Sequence, residues 1–164
     1  IGCDPVRSSI EWASKNLSEI NFFTSKLEPK LDLEDNSIDL ISAVSIWSHY
    51  SPRMALIWLN EMHRILTPKG KICLTIQSWY SLLWHLRTDF ASQRALNIYN
   101  SLSSKGFHFE PLALESDLEF NEDWGMSYYS LDFFKSFFAS KFNLNLHLSG
   151  RSQHNQDVLV LSKR

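Results

Sequence analysis

Residues 38–76 confine the possible folds more tightly than any other stretch of the chain. Ile38 to Val44 is an apolar run of strand-forming residues, Pro52 to Leu66 has helical periodicity, and after Thr67-Pro68-Lys69-Gly70 a second apolar run occupies Lys71 to Ile76. Two strands joined through a helix are parallel, and strands apolar on both sides suit the covered interior of an α/β sheet. Sheets of this kind bind ligands at the carboxyl ends of their strands, and Ser45 to His49 stands at such an end. Ser51 and Pro52 form an N-cap and first-turn pair, after which Ala55, Leu59, Met62 and Leu66 line one side of the helix. Gly70 marks the turn beyond it.

The flanking segments continue the alternation. Ile1 to Asp4 reads as the end of a buried strand; Pro5 opens a helix whose Val6, Ile10, Ala13 and Leu17 make one apolar stripe facing a sheet. Ile20 to Thr24 is a short strand, and Glu28 to Asn36 a polar connection. Helical spacing returns at Leu82, Leu86 and Phe90, then at Ala95, Ile98, Tyr99 and Leu102, and dissolves between Gly106 and Tyr129. Ser130 caps a helix carrying Phe133, Phe134, Phe137 and Phe138 on one face, and two strands follow at 142–148 and 157–161. The whole is one domain, 1–164, with an ordered insertion or lid at 78–130.

Composition narrows the function classes. A chain of 164 residues with 44% hydrophobic content can bury a sizeable core. A formal net charge of -2, with no long basic run, lacks the footprint of a nucleic-acid binder and favours a small-molecule substrate. Nothing approaches the roughly 18 consecutive apolar residues of a membrane span, and no signal peptide is visible, which points to a cytoplasmic protein. Cys3 and Cys73 fall in strands expected to be buried and have no metal-ligand spacing, so reduced core thiols are expected. The six histidines show no ligand spacing either, and His154 with Asp157 falls short of a metal or acid–base site, reading instead as surface polarity. Trp79 to Trp84 lacks the basic flanks of an interfacial helix and reads as a substrate-covering helix or plain packing.

Asp4, at a strand end before a helix, suits two roles equally: its carboxylate can accept hydrogen bonds from ribose hydroxyls, or it can cap the helix. His49 is placed as a general base or as a structural histidine, Ser45 suits a helix cap, and Ser25 to Leu27 suit an ordinary loop. Trp47 and Tyr50 either shape a substrate mouth or pack.

Gly2-Cys3-Asp4-Pro5, Ile20 to Phe23, Ile38-Asp39-Leu40-Ile41 and the Pro-Lys-Gly turn resemble the corresponding segments of class I S-adenosylmethionine-dependent methyltransferases, closely over residues 1–77 and more loosely over Trp124 to Tyr129 and Gln156 to Leu159. The resemblance implies a Rossmann-like α/β sheet with helices on both faces and an antiparallel C-terminal strand, and S-adenosyl-L-methionine as cofactor. It further implies Asp4 on the ribose, Ser25, Lys26 and Leu27 around the adenine, Ser45 and Ile46 beside the methionine portion, and His49 as the base. The family's glycine-rich loop has no counterpart here, since Gly2, Gly70, Gly106, Gly125 and Gly150 are all isolated. The first strand and first helix are therefore expected upstream of Ile1, and this fragment, N-terminally truncated, is expected to bind cofactor poorly. Two other classes remain open: a non-catalytic methyltransferase-like interaction module, and, more weakly, a nicotinamide-dependent oxidoreductase.

Overall fold

The computed structural model describes residues 1–87, 93–112 and 122–164. Strand β1 (Gly2–Asp4), helix α1 (Arg7–Asn16) and strand β2 (Phe22–Thr24) come first; β3 (Ile38–Ala43), α2 (Pro52–Ile65) and β4 (Leu66–Ile76) form the central unit. Helices α3 (Trp79–Leu86) and α4 (Gln93–Lys105), the pair β5 (Phe107–Pro111) and β6 (Gly125–Tyr129), helix α5 (Leu131–Phe138), and strands β7 (Phe142–Leu148) and β8 (Asp157–Lys163) follow. Phe90, expected in a helical stripe, lies outside the described residues.

The main sheet has the order β3-β4-β8-β7, with β3 and β4 parallel and β8 antiparallel to both neighbours. The parallel pair connected by α2 and the antiparallel carboxyl-terminal strands are as the sequence reading has them. Strands β1 and β2 form a separate parallel pair. Among the described residues, β1 pairs only with β2 and β3 only with β4, so each strand keeps one unpaired edge.

The core lies on one face of the main sheet. Ala43, Ile72, Leu74, Leu159 and Leu161 point into it from the strands and meet Met54, Leu59 and Met62 of α2 and Phe134 and Phe138 of α5. Each fully buried aliphatic side chain contributes about 1.5–3 kcal/mol by leaving water. The face carrying Leu40, Val44, Leu146 and Leu148 is open, with Leu40 65% exposed.

Several expectations need correction. Cys3 is exposed and Cys73 only half-buried, because β1 has a free edge and Cys73 faces the open side of the sheet; both thiols are free. No residue of α1 is fully buried, since the sheet beneath it has only two strands; Leu17 is 45% exposed. Helix α2 stops at Ile65 and β4 begins at Leu66, its pairing with β3 shifting register between Ile38 and Leu40 where the Pro-Lys-Gly turn was expected. The stretch after Gly106 contains an antiparallel strand pair, Phe107↔Tyr129 to Pro111↔Gly125, in which β5 alternates Phe107, His108, Phe109 and Glu110 while β6 does not alternate.

Candidate functional site

Past the carboxyl ends of β3 and β4 the chain builds a dense polar network. Ser45 adopts φ 61, a left-handed conformation unfavourable for a side-chain-bearing residue. It is held there by its neighbours: its amide donates to Thr75 Oγ1 at 2.8 Å, its Oγ accepts from Gln156 Nε2 at 2.9 Å, and its carbonyl accepts from Ser48 Oγ at 2.8 Å. Thr75 Oγ1 donates onward to Gln156 Oε1 at 2.6 Å. Ser45 is thus the hub of a turn and caps no helix; the cap of α2 is Ser51, whose Oγ accepts from Met54 N at 3.2 Å. Half-buried Ile46 packs against the core from the same turn.

His49 follows this turn. Its Nδ1 lies 2.9 Å from the Gly125 carbonyl oxygen, which can only accept, so Nδ1 carries the proton and Nε2 of the neutral ring carries the lone pair. The ring is stacked on Trp124, with centroids 4.9 Å apart and planes inclined by 16°. The approach requires a glycine at 125, because a Cβ there would overlap the Glu110 carbonyl oxygen. Strand β6 runs alongside: Gly125 N donates to His49 O at 2.8 Å and Ser127 N to Ser48 O at 2.8 Å. Opposite β6, Asp123 receives hydrogen bonds from Ser51 and Arg53, fixing Trp124 relative to the start of α2. Arg53 holds the Asp123 carboxyl below its usual range, outweighing the effect of burial.

Asp4 is tied to the same region from the other side. Its Oδ1 accepts from Val6 N at 2.7 Å, closing a tight turn at the N-cap residue of α1 and not capping the helix itself, and its carbonyl accepts from Ser25 N at 3.0 Å. Ser25 is buried with its Oγ unpartnered; Lys26 is exposed; Leu27 is half-buried and its carbonyl accepts from Trp58 Nε1 at 3.1 Å. Trp58 stacks on Tyr50 at 6.0 Å. Burial chiefly, with Cys3 and Asp4 adding to it, pushes the Tyr50 phenol above its usual range. The loop after β2 therefore meets the 45–50 turn through Trp58 and Tyr50, and Asp4 joins that loop through the Ser25 amide.

Four residues here carried no clear sequence signal. Gln77 directly follows β4, where its amide donates to the Ser127 and Ser48 carbonyls at 3.2 and 3.4 Å and accepts from His85 Nε2 at 3.3 Å. His85 and Tyr128 join it from α3 and β6, and Thr75 sits on β4 itself. Position just past a parallel strand could have flagged Gln77; nothing in the spacing marked the others. His154 and Asp157 are not partners, and Asp157 is buried, correcting the surface reading. Its carboxylate accepts from Ser78 Oγ at 2.7 Å, Gly150 N at 2.9 Å and His147 Nε2 at 2.7 Å, which pins β8 to the start of α3. Among the described residues no cluster of His, Cys, Asp and Glu could hold a metal ion, and no helix is long and apolar enough to cross a membrane.

Residues 1–74 match the family model described as "Methyltransferase domain". No curated protein matches the sequence. Among solved structures, an S-adenosylmethionine-dependent methyltransferase from Methanosarcina mazei superposes with a TM-score of 0.66 at 14% identity, over 99% of this chain and 80% of that one. A TehB-like S-adenosylmethionine-dependent methyltransferase from Corynebacterium glutamicum gives 0.57 at 12% identity, over 99% and 67%. PKMT2 from Rickettsia typhi in complex with AdoHcy gives 0.60 at 15% identity, over 99% and 43%.

Proposed function

We propose that this chain, whose fold is that of the class I S-adenosylmethionine-dependent methyltransferases, transfers a methyl group to a small-molecule acceptor, with His49 as the proton acceptor. The observation that carries the reading is the chain of contacts that runs from Asp4 through the Ser25 to Leu27 loop to Trp58, Tyr50 and the 45–50 turn. The residues present suit a nucleoside cofactor. Asp4 has a second carboxylate oxygen beyond the one used on Val6 N, and Ser25, bonded through its amide to the Asp4 carbonyl, is buried with an unpartnered Oγ. Leu27 supplies an apolar surface next to them.

S-adenosylmethionine supplies an electrophilic methyl group on a sulfonium; displacement from it is in line, so the protein's task is positioning and removal of one proton. Asp4 and Ser25 to Leu27 bind and orient the nucleoside, and Ser45 with Ile46 fixes the turn on which the reacting end rests. The Gly125 carbonyl sets the tautomer of His49, so that Nε2 is the atom that accepts the acceptor's proton. Stacking on Trp124 restricts the ring's tilt.

A second reading, a non-catalytic interaction module, is motivated by the isolated glycines. Calorimetry with S-adenosylhomocysteine tests the first. Saturable binding that weakens in Asp4→Ala supports it; affinity unchanged in Asp4→Ala removes Asp4 from the site.

A further inference from the structure

Gln156, the residue before β8, is buried, and both ends of its side-chain amide serve one distant position. Its Nε2 donates to Ser45 Oγ at 2.9 Å, across 111 positions of chain. Its Oε1 accepts at 2.6 Å from the hydroxyl of Thr75, which is buried on β4 and accepts in turn from the Ser45 amide at 2.8 Å. The backbone that carries Gln156 is itself braced: its N–H donates to the Gln153 carbonyl at 3.1 Å, and its carbonyl accepts from Ser152 N at 3.0 Å. One residue earlier, the Asn155 carbonyl accepts from Ser81 Oγ of α3 at 3.0 Å.

Ser45 needs such support. At φ 61 it holds a backbone that glycine adopts freely and serine does not, and a conformation of this kind persists only where its surroundings over-determine it. Rotation about the N–Cα bond moves the Ser45 hydroxyl relative to its amide. Thr75 holds the amide, Gln156 holds the hydroxyl, and the two holders are bonded to each other, so a closed ring of hydrogen bonds spans the φ torsion. Ser48 Oγ on the Ser45 carbonyl and His49 N on the Ile46 carbonyl close the rest of the turn from within. His49 is anchored separately, by Gly125 and Trp124.

We infer that Gln156 is a positioning residue: with Thr75 it locks the left-handed backbone of Ser45, and so holds Ser45 and Ile46 in the arrangement that receives the methionine portion of S-adenosylmethionine. The cofactor's part in this rests on the methyl-transfer reading; the lock on Ser45 stands on the geometry alone.

Two substitutions and their combination test it. Gln156→Leu removes the amide and keeps the bulk, while Ser45→Gly lets position 45 hold a positive φ unaided. A simple packing defect at 156 would be indifferent to the residue at 45; loss of a lock would not. Backbone carbon shifts of isotope-labelled, cofactor-free protein follow φ and ψ. In Gln156→Leu they should move at residues 45 and 46 while the His49 ring nitrogens stay in place, which also shows that the strand ends are still folded. In the Ser45→Gly background, adding Gln156→Leu should leave the 45–46 shifts where they are. Calorimetry with S-adenosylhomocysteine should follow the same pattern. Gln156→Leu is expected to weaken binding by about 5- to 30-fold, the population penalty of left-handed backbone for a non-glycine residue, and most of that loss should vanish in the Ser45→Gly background. Thr75→Val opens the same ring at its other member with the side chain's shape kept, and carries the comparison should Gln156→Leu not fold. The proposal is overturned if the 45–46 shifts stay at wild-type values in both Gln156→Leu and Thr75→Val, if the His49 ring moves as far as the turn, or if the affinity loss is equal in the two backgrounds. No cofactor heat in the wild type removes the methyl-transfer reading, and the carbon shifts still decide the lock; wild-type binding that Gln156→Leu leaves untouched removes the positioning role alone.

Discussion

Tyr128 and Tyr129 are adjacent on β6, and both are fully buried, yet removal of their hydroxyls should move stability in opposite directions. The Tyr129 hydroxyl donates to the Tyr50 carbonyl at 2.7 Å. That carbonyl also accepts from Ser127 Oγ, so Tyr129→Phe leaves no orphaned acceptor, and the cost is one net hydrogen bond, about 1 kcal/mol. The Tyr128 hydroxyl has no bond to lose. Its burial carries a desolvation penalty of about 1–3 kcal/mol, and Tyr128→Phe recovers it with almost no change in packing volume. The two variants should therefore differ by about 3 kcal/mol, on opposite sides of wild type, or roughly 6–12 °C in Tm for a domain of this size. Urea titration followed by tryptophan fluorescence measures both midpoints, with unchanged m-values confirming that stability alone has moved. If Tyr128→Phe destabilises as much as Tyr129→Phe, the Tyr128 hydroxyl has a partner in solution, and the case for an unused donor fails.

Three further outcomes can be checked with little more material. His49→Ala should lower turnover by about 10²–10⁴-fold once an acceptor is in hand while leaving S-adenosylhomocysteine affinity in calorimetry unchanged, and full turnover would remove His49 as base. Ser51→Ala removes both the cap of α2 and a donor to Asp123, and should cost about 1–2 kcal/mol by urea titration. Stability should fall on acidification in two stages. His63 and His85 are held below their usual value, each chiefly by burial, so their contribution is present above about pH 6.5 and lost as pH falls through the folded values. Glu61 and Asp123 are lowered chiefly by Arg64 and Arg53, so their contribution goes at more acid pH. A urea midpoint that stays flat from pH 7 to pH 5 would contradict the first stage.

What the sequence disclosed tracks how local the determining physics is. Ser51-Pro52 and Ser130 were readable as caps because capping is decided within four residues, and both hydroxyls accept from the amides expected. The β3–α2–β4 crossover was readable because apolar periodicity over some forty residues leaves few alternatives. Pairing between distant segments was not: the Phe-His-Phe-Glu alternation of β5 spans only four residues, and β6 has no period of two, since it is packed on both faces and bonded along both edges. The burial of Asp157 was invisible for a related reason, its three donors coming from positions 78, 147 and 150. Cys3 and Cys73 were misjudged because strand composition predicts burial only when a neighbour covers the strand. Of the candidate site, Asp4, Ser45 and His49 were legible as strand-end positions, as Gln77 just past β4 could have been; His85 and Tyr128 depend on how α3 and β6 pack over the strand ends.

The placement of β6 decides how any lid over this site can move. Its Gly125, Ser127 and Tyr129 amides donate to the carbonyls of His49, Ser48 and Gln77, each at 2.8 Å, so the strand is bonded to both segments that leave the parallel sheet. Lifting the β5–β6 pair would break these bonds together and expose Ser127 and Tyr129, which are fully buried. Helix α3 is also anchored, with Ser78 Oγ donating to Asp157, Ser81 Oγ to the Asn155 carbonyl and His85 to Gln77, whereas α4 meets β6 through the apolar cluster around Tyr128 and β5 through Arg94 and Glu110, with Leu96 and Tyr99 more than half exposed. Apolar packing has no preferred direction and can slide, whereas a backbone ladder holds its register. Movement here should therefore be carried by α4 over a fixed β6 floor, with slow amide exchange at Gly125, Ser127 and Tyr129 and faster exchange in α4. Equal protection of α4 and β6 would count against a floor and cover that move separately.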